Sequence, residues 1–392
     1  MRRRSLLAGL LGLALLAGAA QAQQQPSAPP AARIYSQADL WDRNESRITF
    51  RLAHLSFPVR AGSTRLSRIL EASREGQGLD NALQYFSPDE QVFATIYVYA
   101  PGLPDAGLTA FMTDYAIHVQ SDAGLSVLRS GIVAAGGREG VAIRLDYAGF
   151  RQNRLASSAA FMRVGRWIVK LRVSGPEARR AEVEGTMASL LAELRFEGQP
   201  LPAAAAPIVA PDCPQAPDRA AHPLSSDGTG TMEDAILSHF LESDGTVGSV
   251  RTAEPDARQP GPHWCRSPGF RLANMSGPTP VLRATTPGAG DDTRRSVLFA
   301  LIADNGTMLE VVERRFRNRT RYVLVHHQIG RTMILGAYDA VPTDAQLADI
   351  LSGRDQAGGR ARATIVYQAS GDSTINLLVP MDVPAMPARP RT

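Results

Sequence analysis

The chain has 392 residues, of which 44% are hydrophobic and 20% charged, a composition that excludes a largely disordered protein. Its formal net charge of +4 falls to about +1 without Arg2, Arg3 and Arg4 of the leader described below, so charge gives no reason to expect nucleic-acid binding. The length exceeds what one ordinary hydrophobic core needs and predicts two domains.

Residues 1–22 have the features of a secretory signal peptide. Arg2–Arg4 precede the apolar run Leu6–Leu16, and small residues lead to a cleavage site after Ala22. The apolar run is too short for a membrane anchor, and no later stretch is apolar enough to span a bilayer. Arg3–Leu7 also fits a twin-arginine signal, so the export route stays open. We predict a periplasmic or secreted protein without a transmembrane segment in the mature chain.

The segment from residue 48 to residue 150 predicts strands and one helix. Alternating apolar residues from Ile48 give a first strand that ends near Phe57-Pro58. Residues 59–80 give a mixed pattern that allows a strand and a mobile loop. The later elements are a hairpin of Ala82–Phe86 and Gln91–Tyr99, a helix from Ala106 to Gln120, and strands at Ser126–Ala134 and Val141–Phe150.

The segment Ala159–Phe196 predicts a strand, a tight turn, a strand and a helix. Gly165 can supply the positive φ angle that a tight turn requires. In Trp167–Val173 every second residue is apolar, and the residues between them become polar from Lys170, the only lysine of the chain. This alternation predicts one buried face and one face in water. An amphipathic helix at Glu177–Leu194 follows.

The order of these elements resembles the Mog1/PsbP-like α+β fold. The resemblance is carried by Leu55-Ser56-Phe57-Pro58, by the hairpin strand Ala94–Tyr99 and by Arg166–Arg172 before the last helix, and it covers about residues 48–197. It implies an antiparallel sheet packed by helices and an accessory or binding role. It implies no shared active site.

The second half begins after a linker rich in proline and alanine. We predict a helix at Thr231–Glu242, and residues 243–295 show little periodicity. The later elements are strands Ser296–Ala303 and Met308–Arg315 around Asp304-Asn305-Gly306, strands Arg321–His327 and Thr332–Ala337 around Gly330-Arg331, a helix at Thr343–Leu351, and last strands near Ala363–Gln368 and Ile375–Val379. The turn at Gly330 followed by a helix repeats the order around Gly165, which indicates either two related domains or a common arrangement.

The predicted fold class is α+β, with two domains that each pack one or two helices on a mainly antiparallel sheet. The predicted boundaries are a signal peptide at 1–22, a flexible lead-in at 23–33, a first domain at 34–197, a linker at 198–230, a second domain at 231–383 and a loose tail at 384–392.

The cysteine and histidine residues indicate structural roles and not catalytic ones. Cys213 and Cys265 are the two cysteines of the chain, and an oxidising compartment favours a disulfide between them. His326 and His327 are adjacent on a predicted strand, where side chains point to opposite faces, so they cannot readily share a metal ion. We find no catalytic motif, and we predict no metal site and no cofactor.

An arginine cluster is the chemical anomaly of the sequence. Its members are Arg314, Arg315, Arg317, Arg319 and Arg321, around a predicted turn at Asn318. Several guanidinium groups at a hairpin tip can bind phosphate or carboxylate groups. The alternative is a solvated loop in a protein whose basic residues are nearly all arginine.

The sequence favours a non-catalytic envelope protein that binds or scaffolds a partner. The partner is an unidentified envelope protein or an anionic component of the envelope. The alternative is a periplasmic hydrolase with dispersed acidic residues in a cleft between the domains, because carboxylate pairs far apart in the chain leave no sequence motif.

Overall fold

The computed structural model describes residues 36–73, 77–102, 104–119, 121, 125–150, 154–198, 201–204, 211–213, 218–224, 230–236, 263–267, 281–285, 294–301, 303–316, 319–369 and 371–378. The predicted signal peptide, lead-in and C-terminal tail lie outside these residues. All described residues belong to one compact unit that spans Ala32–Thr392. Among them, no helix is both long and apolar enough to cross a membrane.

Two antiparallel sheets form the first part of the unit. A four-stranded sheet has the order β1-β2-β3-β12, and an eight-stranded sheet has the order β4-β5-β6-β7-β11-β10-β9-β8. The elements are α1 (Gln37–Leu40), β1 (Trp41–Arg43), β2 (Arg47–Phe50), β3 (Leu55–Pro58), β4 (Arg60–Ala61), β5 (Thr64–Glu71), β6 (Asp80–Phe86), β7 (Phe93–Tyr99), α2 (Ala106–Val119), β8 (Ser126–Ala135), β9 (Arg138–Gly149), β10 (Leu155–Val164), β11 (Trp167–Pro176), α3 (Arg180–Glu193) and β12 (Arg195–Phe196).

The eight-stranded sheet is covered on both faces. The four-stranded sheet and α3 bury one face, where Phe50 meets Trp167 edge-on with ring centroids 5.0 Å apart. Helix α2 covers part of the other face and packs on Ile143, Tyr147 and Phe161 of β9 and β10. Burial of apolar surface on both faces contributes roughly 25 cal/mol per Å² and makes β9 to β11 the centre of the core.

A second eight-stranded sheet forms the rest of the unit, and its strands follow chain order. The strands are β13 (His263–Ser267), β14 (Val281–Thr285), β15 (Arg294–Leu301), β16 (Met308–Phe316), β17 (Arg319–Gln328), β18 (Arg331–Tyr338), β19 (Ala363–Tyr367) and β20 (Ser373–Leu377). Helix α4 covers residues 230–236, and α5 is Asp344–Leu351, capped by Thr343. Helix α5 packs on one face of the sheet, and α4 contributes Ala235 to the apolar cluster on the other.

The predicted α+β class is wrong, because the protein is mainly β. Residues 59–80 and 243–295 gave mixed or weak patterns, yet they supply β4, β5, β13, β14 and the start of β15. Of these strands, β4, β5, β13 and β14 lie at or next to the ends of their sheets. A strand in such a position buries less of its surface, so its sequence needs no clean alternation of apolar and polar residues.

The predicted hairpins are confirmed. Val164 pairs with Trp167 around Gly165, and Gln328 pairs with Arg331 around Gly330. Each glycine has a positive φ angle, as the turn requires. The two eight-stranded sheets nevertheless differ in strand order, so the recurring turns do not reflect one shared topology.

The two cysteines lie at disulfide distance, with the Cα atoms of Cys213 and Cys265 4.8 Å apart. The disulfide joins the stretch before α4 to β13, across 52 residues of chain. Closing a loop of this length stabilises a fold by roughly 4 kcal/mol in the chain-entropy description.

Candidate functional site

The two eight-stranded sheets meet at a contact that we call the seam, defined by Lys170 and Asp304. Asp304 lies in the turn between β15 and β16, and its carboxylate is bonded to the ammonium group of Lys170 on β11. The Thr113 hydroxyl of α2 donates to Asp304 Oδ2 at 2.9 Å, and the Tyr99 hydroxyl of β7 donates to the Asp304 carbonyl at 2.8 Å. One turn therefore contacts three elements of the other sheet's layer.

The seam keeps the Asp304 carboxylate ionised. Burial acts to raise the pKa of Asp304, but the charge and hydrogen bond of Lys170, helped by the Thr113 hydroxyl, hold it below its usual value. Lys170 lies over the Tyr97 ring at 5.2 Å from the centroid. The predicted wet face of β11 is thus wrong at Lys170, because α2 and the Asp304 turn approach this face of the sheet.

Glycines also allow close contact between the two sheets at points away from Lys170 and Asp304. A Cβ atom at Gly306 would lie 2.3 Å from Pro101 Cβ, and one at Gly330 would lie 2.4 Å from Gln77 Oε1. Arg166 Nη2 also donates to the carbonyl groups of residues 368 and 369, at 3.2 and 3.1 Å. The sheets are therefore packed directly against each other at these points.

The adjacent histidines differ in burial. His327 is 1% exposed, with Nε2 2.8 Å from Glu310 Oε2 and Nδ1 3.1 Å from the Thr332 hydroxyl. His326 is half-buried on the opposite face of β17. Within the described part of the chain, no three His, Cys, Asp or Glu residues are grouped so that they could hold a metal ion.

The structure divides the arginine cluster between two faces of the β16–β17 hairpin. Arg314 pairs in register with Arg321, and both guanidinium groups approach Asp234 of α4, with N–O distances of 3.4 and 3.0 Å. Arg315 lies on the other face, 61% exposed, with Nε 2.9 Å from Glu313 Oε1. Arg319 pairs with Phe316 through the backbone. The last cluster member, Arg317, lies outside the described residues.

A carboxylate pair with raised pKa values lies near the start of β6. Burial, and then the charge of Glu71, raise the pKa of Asp80 to about 6. Burial also raises the pKa of Glu71, whose Oε1 accepts hydrogen bonds from the backbone amides of Ser73 and Gly78 at 3.0 and 3.2 Å. No sequence pattern indicates this pair, because acidic residues nine positions apart have no fixed spatial relation until β5 and β6 pair.

Strand β8 ends the first eight-stranded sheet and exposes three large apolar side chains. Val127 is 43% exposed, Leu128 52% and Ile132 45%. Val127 pairs with Tyr147 and Ile132 with Ile143, so both lie on the face that packs on α2. Leu128 is the extra residue of a β-bulge. Among the described residues, the apolar face of the sheet thus continues to its edge and leaves these side chains exposed.

Comparisons with known proteins give neither a family nor a function. No family model matches the chain, and no curated protein matches it. A crystal structure from Bacteroides thetaiotaomicron is 11% identical and covers 62% of this chain and 87% of that chain, with a TM-score of 0.22. A TM-score of 0.22 is too low to show a shared fold. The resemblance to the Mog1/PsbP-like fold is not tested by these comparisons and stays a prediction.

Proposed function

We propose that the protein is an exported, non-catalytic binding protein that holds a protein partner at the edge strand β8. The observation that carries the proposal is the exposed apolar row of Val127, Leu128 and Ile132. Exposed apolar side chains on a sheet edge favour binding to another polypeptide chain, and most proteins avoid or cover such edges. Val127 and Ile132 pair with residues of the cluster under α2, so a partner that covered them would extend an existing core.

The partner that best fits this edge is an extended polypeptide segment. Strand β8 is the last strand of its sheet, and among the described residues no further strand pairs with it. Regular pairing with β9 runs from Arg129 to Val133, between two bulges. A segment added along this stretch would bond to the backbone, while its apolar side chains covered Ile132.

Export is part of the proposal. The disulfide between Cys213 and Cys265 fits an oxidising compartment. The sequence of residues 1–22 supports delivery to a periplasm or beyond through a cleaved leader.

The alternative is a hydrolase with acidic residues in a cleft between the sheets. The raised pKa of Asp80 favours it, since such shifts occur at catalytic carboxylates. Against it, the seam carboxylate Asp304 is neutralised by Lys170. Glu71 is occupied by backbone amides. These contacts favour a binding role over hydrolysis.

A photo-crosslinking residue at position 128 of the full chain, produced in an exporting cell, tests the proposal. The matched control carries the same residue at Leu70 of β5, which is 42% exposed on another strand. We expect a discrete adduct from position 128, heavier than the chain by the mass of one partner, which Ile132→Ser weakens. Equal adducts from both positions, or an adduct of two copies of the chain, would overturn the proposed function.

A further inference from the structure

A cleft lined by arginines lies at the junction of the two sheets of the first part. Its volume is about 480 Å³. It is open between the four-stranded sheet and the turn that joins β8 to β9. Its lining residues are Asn44, Arg47, Thr49, Ser56, Gly136, Arg138, Arg195, Phe196 and Glu197.

The charge of the lining favours an anion. Three arginines face one glutamate, and the remaining polar residues are neutral. Burial, and then the charge of Arg195, lower the pKa of Arg47, while smaller effects of Glu193, Tyr85 and Glu197 act in the opposite direction. Arg47 and Arg195 are therefore close enough to repel each other, and a bound anion would relieve that repulsion.

The guanidinium group of Arg47 is held in a fixed orientation. Its Nε donates to the Ser56 hydroxyl at 2.8 Å, and its Nη2 donates to the carbonyl groups of Ser56 and Glu193 at 2.9 and 2.8 Å. These bonds leave Nη1, which has no hydrogen-bond partner among the described residues. A donor that is already oriented loses little conformational entropy when a ligand binds.

The turn that precedes Arg138 is also fixed. Gly136 has a φ of 58°, and a Cβ atom there would lie 2.6 Å from the Phe196 ring and 2.8 Å from the Leu194 carbonyl oxygen. Its amide donates to the Leu191 carbonyl at 2.7 Å. Since no larger residue could approach so closely, the turn is held against β12, the strand that begins with Arg195.

We propose that this cleft binds a small hydrophilic solute through a phosphate or carboxylate group. Its volume falls within the range of roughly 300–1,000 Å³ that small-molecule sites occupy. Guanidinium groups bind both oxyanions through paired N–H donors. Hydroxyl and amide groups of Thr49, Ser56 and Asn44 suit the polar remainder of such a solute. This site is independent of the protein partner proposed for β8.

The inference is tested by isothermal titration calorimetry of the purified mature chain with inorganic phosphate and with citrate. Comparing the two probes distinguishes a phosphate ligand from a carboxylate ligand. The test variant is Arg138→Ser with Arg195→Ser, because both side chains are exposed, whereas Arg47 supports the fold. The control is Arg60→Ser, an exposed arginine of the same sheet layer that does not line the cleft.

We expect saturable binding of at least one probe at one site, weakened at least tenfold in the double variant and unchanged in the control. Arg195→Lys, which keeps the charge but loses the paired donors, is expected to bind with intermediate affinity. Thermal unfolding of each variant without ligand checks that the fold is kept. Absence of binding to the parent chain, or equal binding by all variants, would overturn the inference.

Discussion

Replacing Lys170 with methionine tests the role of the seam most directly. The substitution keeps the length and apolar body of the side chain and removes its charge. Asp304 is then left partly buried without its cation, beside Thr113 and Tyr99. We expect the free energy of unfolding to fall, because a partly buried carboxylate that has lost its neighbouring cation is costly.

The magnitude follows from the exposure of the two partners. The Lys170 side chain is 10% exposed and that of Asp304 is 31% exposed. Removing one partner of a fully buried ion pair costs about 3–5 kcal/mol, whereas an exposed pair contributes about 0–1 kcal/mol. Because Asp304 keeps some contact with water, we expect a loss of about 2–3 kcal/mol for Lys170→Met.

The assay is urea unfolding of the parent chain, Lys170→Met, Asp304→Asn and the double variant. The coupling energy from this cycle should be about 1 kcal/mol or more. Arg354→Met is the surface control, since Arg354 and its partner Asp349 are about half exposed; it should cost less than about 0.5 kcal/mol. A Lys170→Met loss no larger than that of the control would refute the reasoning.

The loss of stability in Lys170→Met should also depend on pH. In the parent chain the pKa of Asp304 is depressed, so the stability it contributes is present above its usual value of 3.8 and is lost as pH falls further. In Lys170→Met, burial is opposed only by the Thr113 hydroxyl and the charge of Arg172, so the pKa of Asp304 should be higher than in the parent chain and protonation should cost the variant less. The difference between the two proteins should therefore shrink as pH falls from 7 to 4, and a constant difference would contradict the assignment.

Two further substitutions are tested by direct comparison, between two pH values for Asp80→Asn and against Gly353→Ala for Gly330→Ala. Asp80→Asn should stabilise the protein at pH 8 and lose this advantage by pH 4, because a folded pKa of about 6, raised from 3.8 by burial and by Glu71, makes ionisation costly as pH rises. The pKa change corresponds to about 3 kcal/mol at most, and an equal effect at both pH values would exclude the explanation. Gly330→Ala should cost about 1–2 kcal/mol more than Gly353→Ala in thermal unfolding, since both have a positive φ but only Gly330 lies against Gln77. Equal losses would show that the contact with Gln77 is easily relieved.

Local turn chemistry made the hairpins predictable from the sequence. Gly165 and Gly330 each lie between two strand patterns, and the residues that decide such a turn are neighbours in the chain. The extents of α2 and α5, and the Thr343 cap of α5, followed in the same way. The fold class was not predictable in this way, because strands near sheet edges need not show the alternation of apolar and polar residues by which strands are recognised in a sequence.

The sites depend on contacts between residues that are distant in the chain. Lys170 and Asp304 are 134 residues apart, and Arg47 and Glu193 are 146 apart. One signal was present: a single lysine within an apolar strand, where its ammonium group would need a partner once buried. Nothing in the sequence indicated which residue that partner would be.

The different strand orders of the two large sheets imply different routes of assembly. In the second sheet each strand pairs with its chain neighbours, so the sheet can grow one hairpin at a time. In the first, β7 pairs with β11, which joins Tyr99 to Ile168 after a loop of roughly 70 residues has closed. We expect β11 to limit the rate at which the first sheet forms. Since the Asp304 turn contacts both Tyr99 of β7 and Lys170 of β11, its full set of contacts needs this slow pairing, so we expect the docking of the two sheets to be a late event in folding.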